Sequence, residues 1–303
     1  RENGFLRESG ALYIGRTRDK PDMDEFLRTF EGTGVTIERL GRAGVEARVP
    51  HIRPEWNDAI WESACANIDV AGLHQHYLKR LKQRGAQLEC RARVPVLERR
   101  SGLWRITTQN GETYRASQIV NAAGAWADEL AQLAGAKPLG IKPLRRTVAQ
   151  LRVAPEAPAN LPLVIDINGG FYFKSDNGRL WLSPHDEIPS VPCDAAPEEM
   201  DVALAIDRFQ SVTDWRIEAV ERRWAGLRSF SPDRLPVYGP DPEVAGFHWF
   251  AGQGGFGIQT SPAAARLAAQ ITLEMEADAM TAAIDRQTYS PARYHDVSLS
   301  KAV

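Results

Sequence analysis

Three kinds of segment in this sequence carry side chains or backbone suited to chemistry. The first is Arg228, in the run AGLRSF. A guanidinium is a planar fork that can grip a carboxylate through two parallel hydrogen bonds. An arginine between an apolar strand and a loop can equally serve a structural ion pair, and the residues alone leave both readings open. The second is the pair Arg145-Arg146. On a strand, neighbours point to opposite faces, so only one of them can serve a given site. The third is Gly252-Gln-Gly-Gly-Phe-Gly257, which formally matches G-x-G-x-x-G between a short apolar run and a helix. Glycines let the backbone approach a flat or anionic ligand, and the helix behind them offers unpaired N–H groups. No second parallel strand ending in an acid follows about 20 residues on, as a dinucleotide fingerprint requires. Glu274 and Glu276 fall inside the last helix instead. The loop is therefore either cofactor-facing or a tight strand-to-helix turn, and not a pyrophosphate loop.

The run Ile119-Val-Asn-Ala-Ala-Gly-Ala-Trp126 reads as a buried strand ending in small residues. Such an end lets the main chain touch a ligand at a sheet crevice, or allows close helix–strand packing. The histidines point to no metal site. His74 and His76 lie two apart on a helix, on different faces. His51, His185, His248 and His295 lack carboxylate or cysteine partners at metal-like spacing. No G-x-S-x-G nucleophile appears.

Around these segments the sequence predicts a mixture of meanders and helices. Alternation and turn residues mark strands at 10–15, 87–97, 103–109, 113–120, 144–153, 161–167, 170–174, 179–183, 216–230 and 246–252. Ser101-Gly102, Asn110-Gly111 and Asp176-Asn177-Gly178 read as turns. Helices are expected at 22–31, 69–85, 127–134, 197–212 and 261–277, the last with Ser261 as cap and Pro262 in the first turn. Residues 32–60 read as irregular with short strands. The fold class is mixed α/β (α+β), with two domains assembled from separate segments. The expected segments are 65–137 with 222–303, and 1–64 with 138–221.

The composition excludes several classes. The 303 residues are 43% hydrophobic and 25% charged, which is ordinary globular usage. The net charge of −2 supplies no field for a polyanion, so nucleic acid is not an expected partner. The mean hydropathy is −0.35, and no run of ~18 apolar residues exists. Cys65, Cys90 and Cys193 are odd in number and widely spaced, which fits a reducing, cytoplasmic compartment. The chain opens on Arg1 within sequence that reads like the middle of a protein.

Taken together, YRASQIVNAAGAWADELAQLAG (114–135), RWAGLRSFSPDRLPVYG (223–239) and GFHWFAGQGGFGIQTSPAAARLAAQI (246–271) resemble segments of the D-amino-acid oxidase-like (DAO) superfamily of FAD-dependent amine oxidoreductases. NIDVAGLHQHYLKRL (67–81) and KPLRR (142–146) extend the resemblance, towards its D-arginine dehydrogenase and D-amino-acid dehydrogenase branch. The resemblance covers most of residues 60–275. It implies an FAD-binding domain at 65–137 and 222–303, and a substrate domain with a large mixed or antiparallel sheet at 1–64 and 138–221. Members of the family open with a strand, a G-x-G-x-x-G turn and a helix that hold the FAD pyrophosphate. That Rossmann segment is not found here, so the FAD-binding domain is expected to be incomplete.

The resemblance also implies site residues. Arg228 pairs with the substrate carboxylate, assisted by Arg146 and by the hydroxyl of Tyr172. Leu163 and Ile165 form an apolar wall. Ala122, Ala123, Gly124 and Trp126 lie beside the cofactor, as do Gly254, Gly255, Gly257, Ile258 and Gln259; Gln259 also adjoins the substrate amine. Val94 matches a backbone contact to adenine. No residue is assigned a certain catalytic role, and no metal is implied. The implied reaction is oxidation of a D-amino acid or related amine by hydride transfer from Cα to flavin N5. Imine, then 2-oxo acid and ammonia, follow. A quinone or dioxygen takes the electrons, and a quinone would suit peripheral membrane association. Relatives that favour cationic substrates carry an acid where this chain has Ala11, so neutral or apolar side chains are expected. Two alternatives remain open: a 2-hydroxyacid dehydrogenase on the same scaffold, and a non-catalytic carboxylate-binding fragment.

Overall fold

Alternating burial along the strands builds this protein, and the glycine-marked turns punctuate it. The structure, a computed structural model, describes residues 4–294. In chain order the first strands are β1 (Leu6–Glu8), β2 (Ala11–Arg16), β3 (Ile37–Gly41), β4 (Trp56–Glu62) and β5 (Ala66–Ile68). Next come β6 (Val96–Arg100), β7 (Leu103–Thr107), β8 (Thr113–Ala116), β9 (Ile119–Asn121), β10 (Lys142–Ala154) and β11 (Leu163–Asp166). The last are β12 (Tyr172–Asp176), β13 (Arg179–Ser183), β14 (Ile188–Pro189), β15 (Arg216–Phe230), β16 (Val237–Pro240) and β17 (Phe247–Ala251). The helices are α1 (Lys20–Phe30), α2 (Arg42–Arg48), α3 (Val70–Gln83), α4 (Ala127–Leu133), α5 (Glu199–Gln210) and α6 (Gly257–Thr272).

The described residues fall into two compact units. The first holds the chain up to Tyr77, Arg145–Ile188 and Asp194–Gly226; the second holds Leu78–Leu144, Pro189–Cys193 and the chain from Leu227. Of the five crossings, three fall inside the long continuous elements α3, β10 and β15. The sequence pattern places them earlier, at 64, 137 and 221, because composition does not change where an element simply runs on.

In the first unit the sheet has the order β14-β10-β13-β12-β11-β2-β4-β3, with β15 also on β10. One face is closed. Leu12, Ile14, Val164, Phe173, Leu180, Leu182, Ala149 and Leu151 are buried there against Val202, Ala205 and Phe209 of α5 and Val45 of α2. The register aligns Tyr13, Ile165, Tyr172 and Ser183 across four strands on the other face. On β11 and β12 the residues of that face are only half-buried. Alternation of this kind marks a sheet packed on one side.

In the second unit β6-β7-β8 forms an antiparallel meander, and β16-β17-β9 a small sheet in which β9 runs parallel to β17. Trp104, Phe247, Trp249, Ala127 and Ala131 make its core. The Trp104 indole donates to the Gly246 carbonyl at 3.0 Å, and Trp249 to Asp241 at 3.0 Å. Buried indoles need such partners.

Several sequence expectations change. Residues 87–97 are extended strand only from Val96, so Val94 lies off the strand. Pro95 lacks the N–H that a ladder needs. Residues 32–60 contain α2. None of the apolar positions of α3 is fully buried: Leu73 and Leu78 are half-buried, and Tyr77 and Leu81 are exposed. Helix α6 starts at Gly257, so Ser261 is not its cap and Pro262 sits inside it. His295 lies outside the described residues.

The loop after β15 is fixed by Asp233. Its carboxylate accepts from Ser231 Oγ at 3.0 Å, Arg293 Nε at 2.7 Å, the Tyr294 hydroxyl at 2.5 Å and the Leu235 N–H at 3.0 Å. Burial raises this carboxyl, but the bonds from Arg293, Tyr294 and Leu235 outweigh it and hold it well below the usual carboxylate range.

Two predictions concern stability. Phe173 is fully buried, edge-on to Phe209 at 5.2 Å. Phe173→Ala should cost about 3–5 kcal/mol, seen as a lower urea midpoint at similar slope. A depressed folded-state carboxyl contributes fully above the unfolded value of about 3.9 and loses its contribution as pH falls towards the folded value. The loss of stability below about pH 4 should therefore become shallower in Asp233→Asn, measured by urea unfolding across that range.

Candidate active site

In the second unit, two parallel strands end side by side. Trp249 of β17 is in register with Asn121 of β9, so the chains leaving their carboxyl ends emerge together. One is Ala122–Trp126, the other the glycine loop. The carboxyl ends of parallel strands are where open sheets bind ligands. Asn121 is fully buried; its amide donates to the Ala127 carbonyl at 2.8 Å and takes the Ala123 N–H at 3.3 Å. That clamp shapes the turn in which Gly124 adopts φ +56° and Trp126 stays 42% exposed.

The glycine loop is built by close approach. Gly252 and Gly254 have φ +72° and +54°. The Gly254 N–H donates to the Ser229 carbonyl at 2.8 Å, and Gln253 bridges Phe230. A Cβ on Gly254 would lie 2.5 Å from the Phe230 ring, and one on Gly255 would lie 3.0 Å from Nη1 of Arg228. Behind the loop, α6 begins without a side-chain cap. Ile258 and Gln259 of its first turn are exposed. The free N–H groups and positive end of a sixteen-residue helix thus point out of the loop.

Arg228 is half-buried against Gly255. Among the described residues it has neither a carboxylate partner nor a hydrogen bond, so its charge is left for something else. Val94 packs at the margin of this unit's core instead.

In the first unit, the open face of the sheet carries Tyr13, Leu163, Ile165, Tyr172, Lys174 and Arg146. Tyr172 is opposite Ile165, and Ile165 opposite Tyr13. Burial, with Glu62 and Cys65 nearby, pushes the Tyr13 hydroxyl up to about 12. Burial also lowers the Lys174 ammonium, whose Nζ donates to Asn67 at 3.1 Å. Arg146 is 5% exposed; its Nε donates to the Asp186 carbonyl at 2.6 Å, and its Nη2 lies 3.4 Å from Glu187. The guanidinium carbon sits 5.9 Å from the centre of the Tyr172 ring. Arg145 points the other way, to Glu198 and Asp201 beside α5. Strand alternation separates the two arginines.

The first unit also seats a residue that sequence reasoning set aside. The His185 ring meets Tyr172 edge-on, with centroids 5.5 Å apart. Spacing could not reveal this, because the contact depends on how β12 and β13 pair. No group of three His, Cys, Asp or Glu side chains able to hold a metal occurs among the described residues. No described helix is long and apolar enough to cross a membrane.

Known proteins resemble this chain along most of its length. HcnC, a hydrogen cyanide synthase subunit of Pseudomonas aeruginosa, is 26% identical over 280 residues, covering 84% of this chain and 66% of that protein. Glycine oxidase of the same organism is 28% identical over 281 residues, covering 89% and 73%. HcnC of Pseudomonas protegens is spanned only to 53% of its length. Among solved structures, glycine oxidase from Geobacillus kaustophilus superposes with a TM-score of 0.83 at 23% identity, over 97% of this chain and 78% of that one. These relatives do not single out the D-arginine dehydrogenase branch that the motifs suggest. The family described as FAD dependent oxidoreductase (DAO) matches residues 1–271, and the chain belongs to that family, whose cofactor is FAD.

Proposed function

We propose that the protein oxidises D-amino acids or closely related small amines at Cα, with Arg228 as the anchor of the substrate carboxylate. The observation that carries this reading is the half-buried guanidinium of Arg228, packed on the glycine loop and without a partner among the described residues. A carboxylate is the anion whose two oxygens match its fork.

The residues fit the cofactor. Gly254, Gly255 and Gly257 leave a cradle that side chains would fill, and the bare start of α6, with Ile258 and Gln259, favours negative charge beside it. Ala122, Ala123, Gly124 and Trp126 would flank the cofactor, and Val94 would contribute backbone near its adenine. Bound FAD supplies a two-electron acceptor.

The chain's own groups hold and orient the substrate. Arg228 fixes the carboxylate; on the first unit, the resemblance assigns Arg146 and Tyr172 to substrate binding. Leu163 and Ile165 line an apolar wall suited to a neutral side chain. A substrate held by its carboxylate has a fixed Cα–H direction, and orientation of this kind supplies much of a rate enhancement. The neutral amine loses hydride from Cα and a proton from nitrogen, leaving an imine that water converts to 2-oxo acid and ammonia. Glycine fits the same anchor, in keeping with the glycine oxidases among the relatives, and N-methylated glycines carry the same carboxylate. Dioxygen or a quinone serves as the final electron acceptor.

Anaerobic mixing with panels of D-amino acids, N-methylglycines and 2-hydroxy acids tests the reading through bleaching of the flavin bands. Bleaching by hydroxy acids alone, or a colourless protein that takes up no FAD, would overturn it. Arg228→Ala should raise KM by roughly 30-fold or more, as truncation of a desolvated charge partner does, with the flavin retained. Arg228→Lys should recover only part of this, since an ammonium lacks the fork. Gly254→Ala places a Cβ against Phe230 at a positive φ. It should retain FAD at least about ten-fold less tightly, read as the ratio of flavin to protein absorbance after dialysis.

A further inference from the structure

His185 has no partner at a recognisable spacing in the sequence, yet the fold gives it a defined seat. It follows β13 with φ +59°. A non-glycine residue is held in that left-handed region only where its surroundings over-determine it. Its N–H donates to Ser183 Oγ at 3.1 Å, and its Nδ1 lies 2.9 Å from the Gly169 carbonyl oxygen. A carbonyl only accepts, so the neutral ring carries its proton on Nδ1. Nε2 is then the nitrogen that gains a proton on acidification. The ring stands edge-on to Tyr172 with planes at 84°, and the Arg146 guanidinium lies over the same phenol. Imidazole, phenol and guanidinium form one cluster on the open face of the first unit's sheet.

The charges around this cluster come from each neighbouring element. Arg146 comes from β10, and Asp186 and Glu187 follow His185 in the chain. Asp166 closes the turn that carries Gly169, and its carboxylate takes the Gly170 N–H at 3.0 Å. Burial pushes Asp166 up, opposed by the N–H groups of Asn168 and Gly170. Arg208 of α5 donates to the carbonyls of Gly170 and Pro184. Asp186 and Glu187 already face Arg146. The imidazole is the member of this cluster whose ordinary titration range lies between about pH 5 and 8.

We propose that His185 is a specificity-determining residue of the substrate site, whose imidazolium form adds positive charge beside Arg146 and Tyr172 and tightens carboxylate binding at mildly acidic pH. The inference rests on the assignment of Arg146 and Tyr172 to the substrate carboxylate.

Benzoate is a suitable probe, because it lacks an amine and stays ionised across the range of interest. Its affinity for the flavin-loaded protein can be followed by calorimetry from about pH 8.5 to 5.5, spanning the histidine range. Affinity should rise roughly three- to thirty-fold on acidification, the effect of one charge at partly screened close range. His185→Asn keeps a donor for the Gly169 carbonyl and tolerates the left-handed backbone. His185→Gly tolerates that backbone without any side chain. In both, the ratio of affinities between the two pH limits should fall to near one. A flat wild-type profile, or a rise retained by the variants, overturns the role of His185 alone. Absence of benzoate binding at every pH, or binding unaffected by Arg228→Ala, overturns the carboxylate site itself and the inference with it.

Discussion

The site of the second unit depends on one close approach of two backbones. The end of β15 and the glycine loop after β17 are joined by the Gly254 N–H to Ser229 and by the bridge between Phe230 and Gln253. Glycine at 254 is required twice, for its positive φ and for the space taken by the Phe230 ring. Because the loop sits so close, Gly255 receives the Arg228 guanidinium on its bare face. The first turn of α6 then starts directly from the loop, with its N–H groups unclaimed by any cap. One contact therefore sets the glycine conformation, the arginine position and the helix start together.

The first unit follows a different constraint. Its sheet buries one face completely and leaves the other half-open, and strand pairing alone decides which residues share that open face. Tyr13, Ile165 and Tyr172 come from separate strands and meet because β11 pairs parallel to β2 and antiparallel to β12. A slip of one residue in either pairing would send them to the closed face. Arg146 is held by Asp186 and Glu187, whereas Arg228 has no such partners among the described residues. The two arginines thus differ in kind: one is pre-set by the protein's own acids, and the other is the anchor proposed for a ligand.

Much of this was legible in the sequence, and the gaps have physical causes. The split of Arg145 and Arg146 follows from strand alternation, and the turns at Ser101-Gly102 and Asn177-Gly178 from residues that tolerate positive φ. The start of α6 was misplaced because Ser261-Pro262 imitates a helix beginning. Tertiary packing of the glycine loop overrode that local signal. Helix α2, seven residues long, is too short for its period to show. The seat of His185 could not be read at all, since its partners Gly169 and Tyr172 are brought to it by sheet pairing. The apolar positions of α3 mark it as a helix in the sequence, but such a pattern records a face able to be covered without saying what covers it.

The solitary charge of Arg228 also bears on how the folded state is populated. A half-buried guanidinium with no counter-ion among the described residues carries a desolvation cost in the folded chain. Any carboxylate that occupies it removes part of that cost, and does so only in the folded chain. By linkage, occupancy then adds to folding stability as the logarithm of ligand concentration. If Arg228 holds a carboxylate as proposed, the organic acids dissolved around the protein become part of its thermodynamic state, and two samples identical in sequence would differ in stability because of a buffer anion.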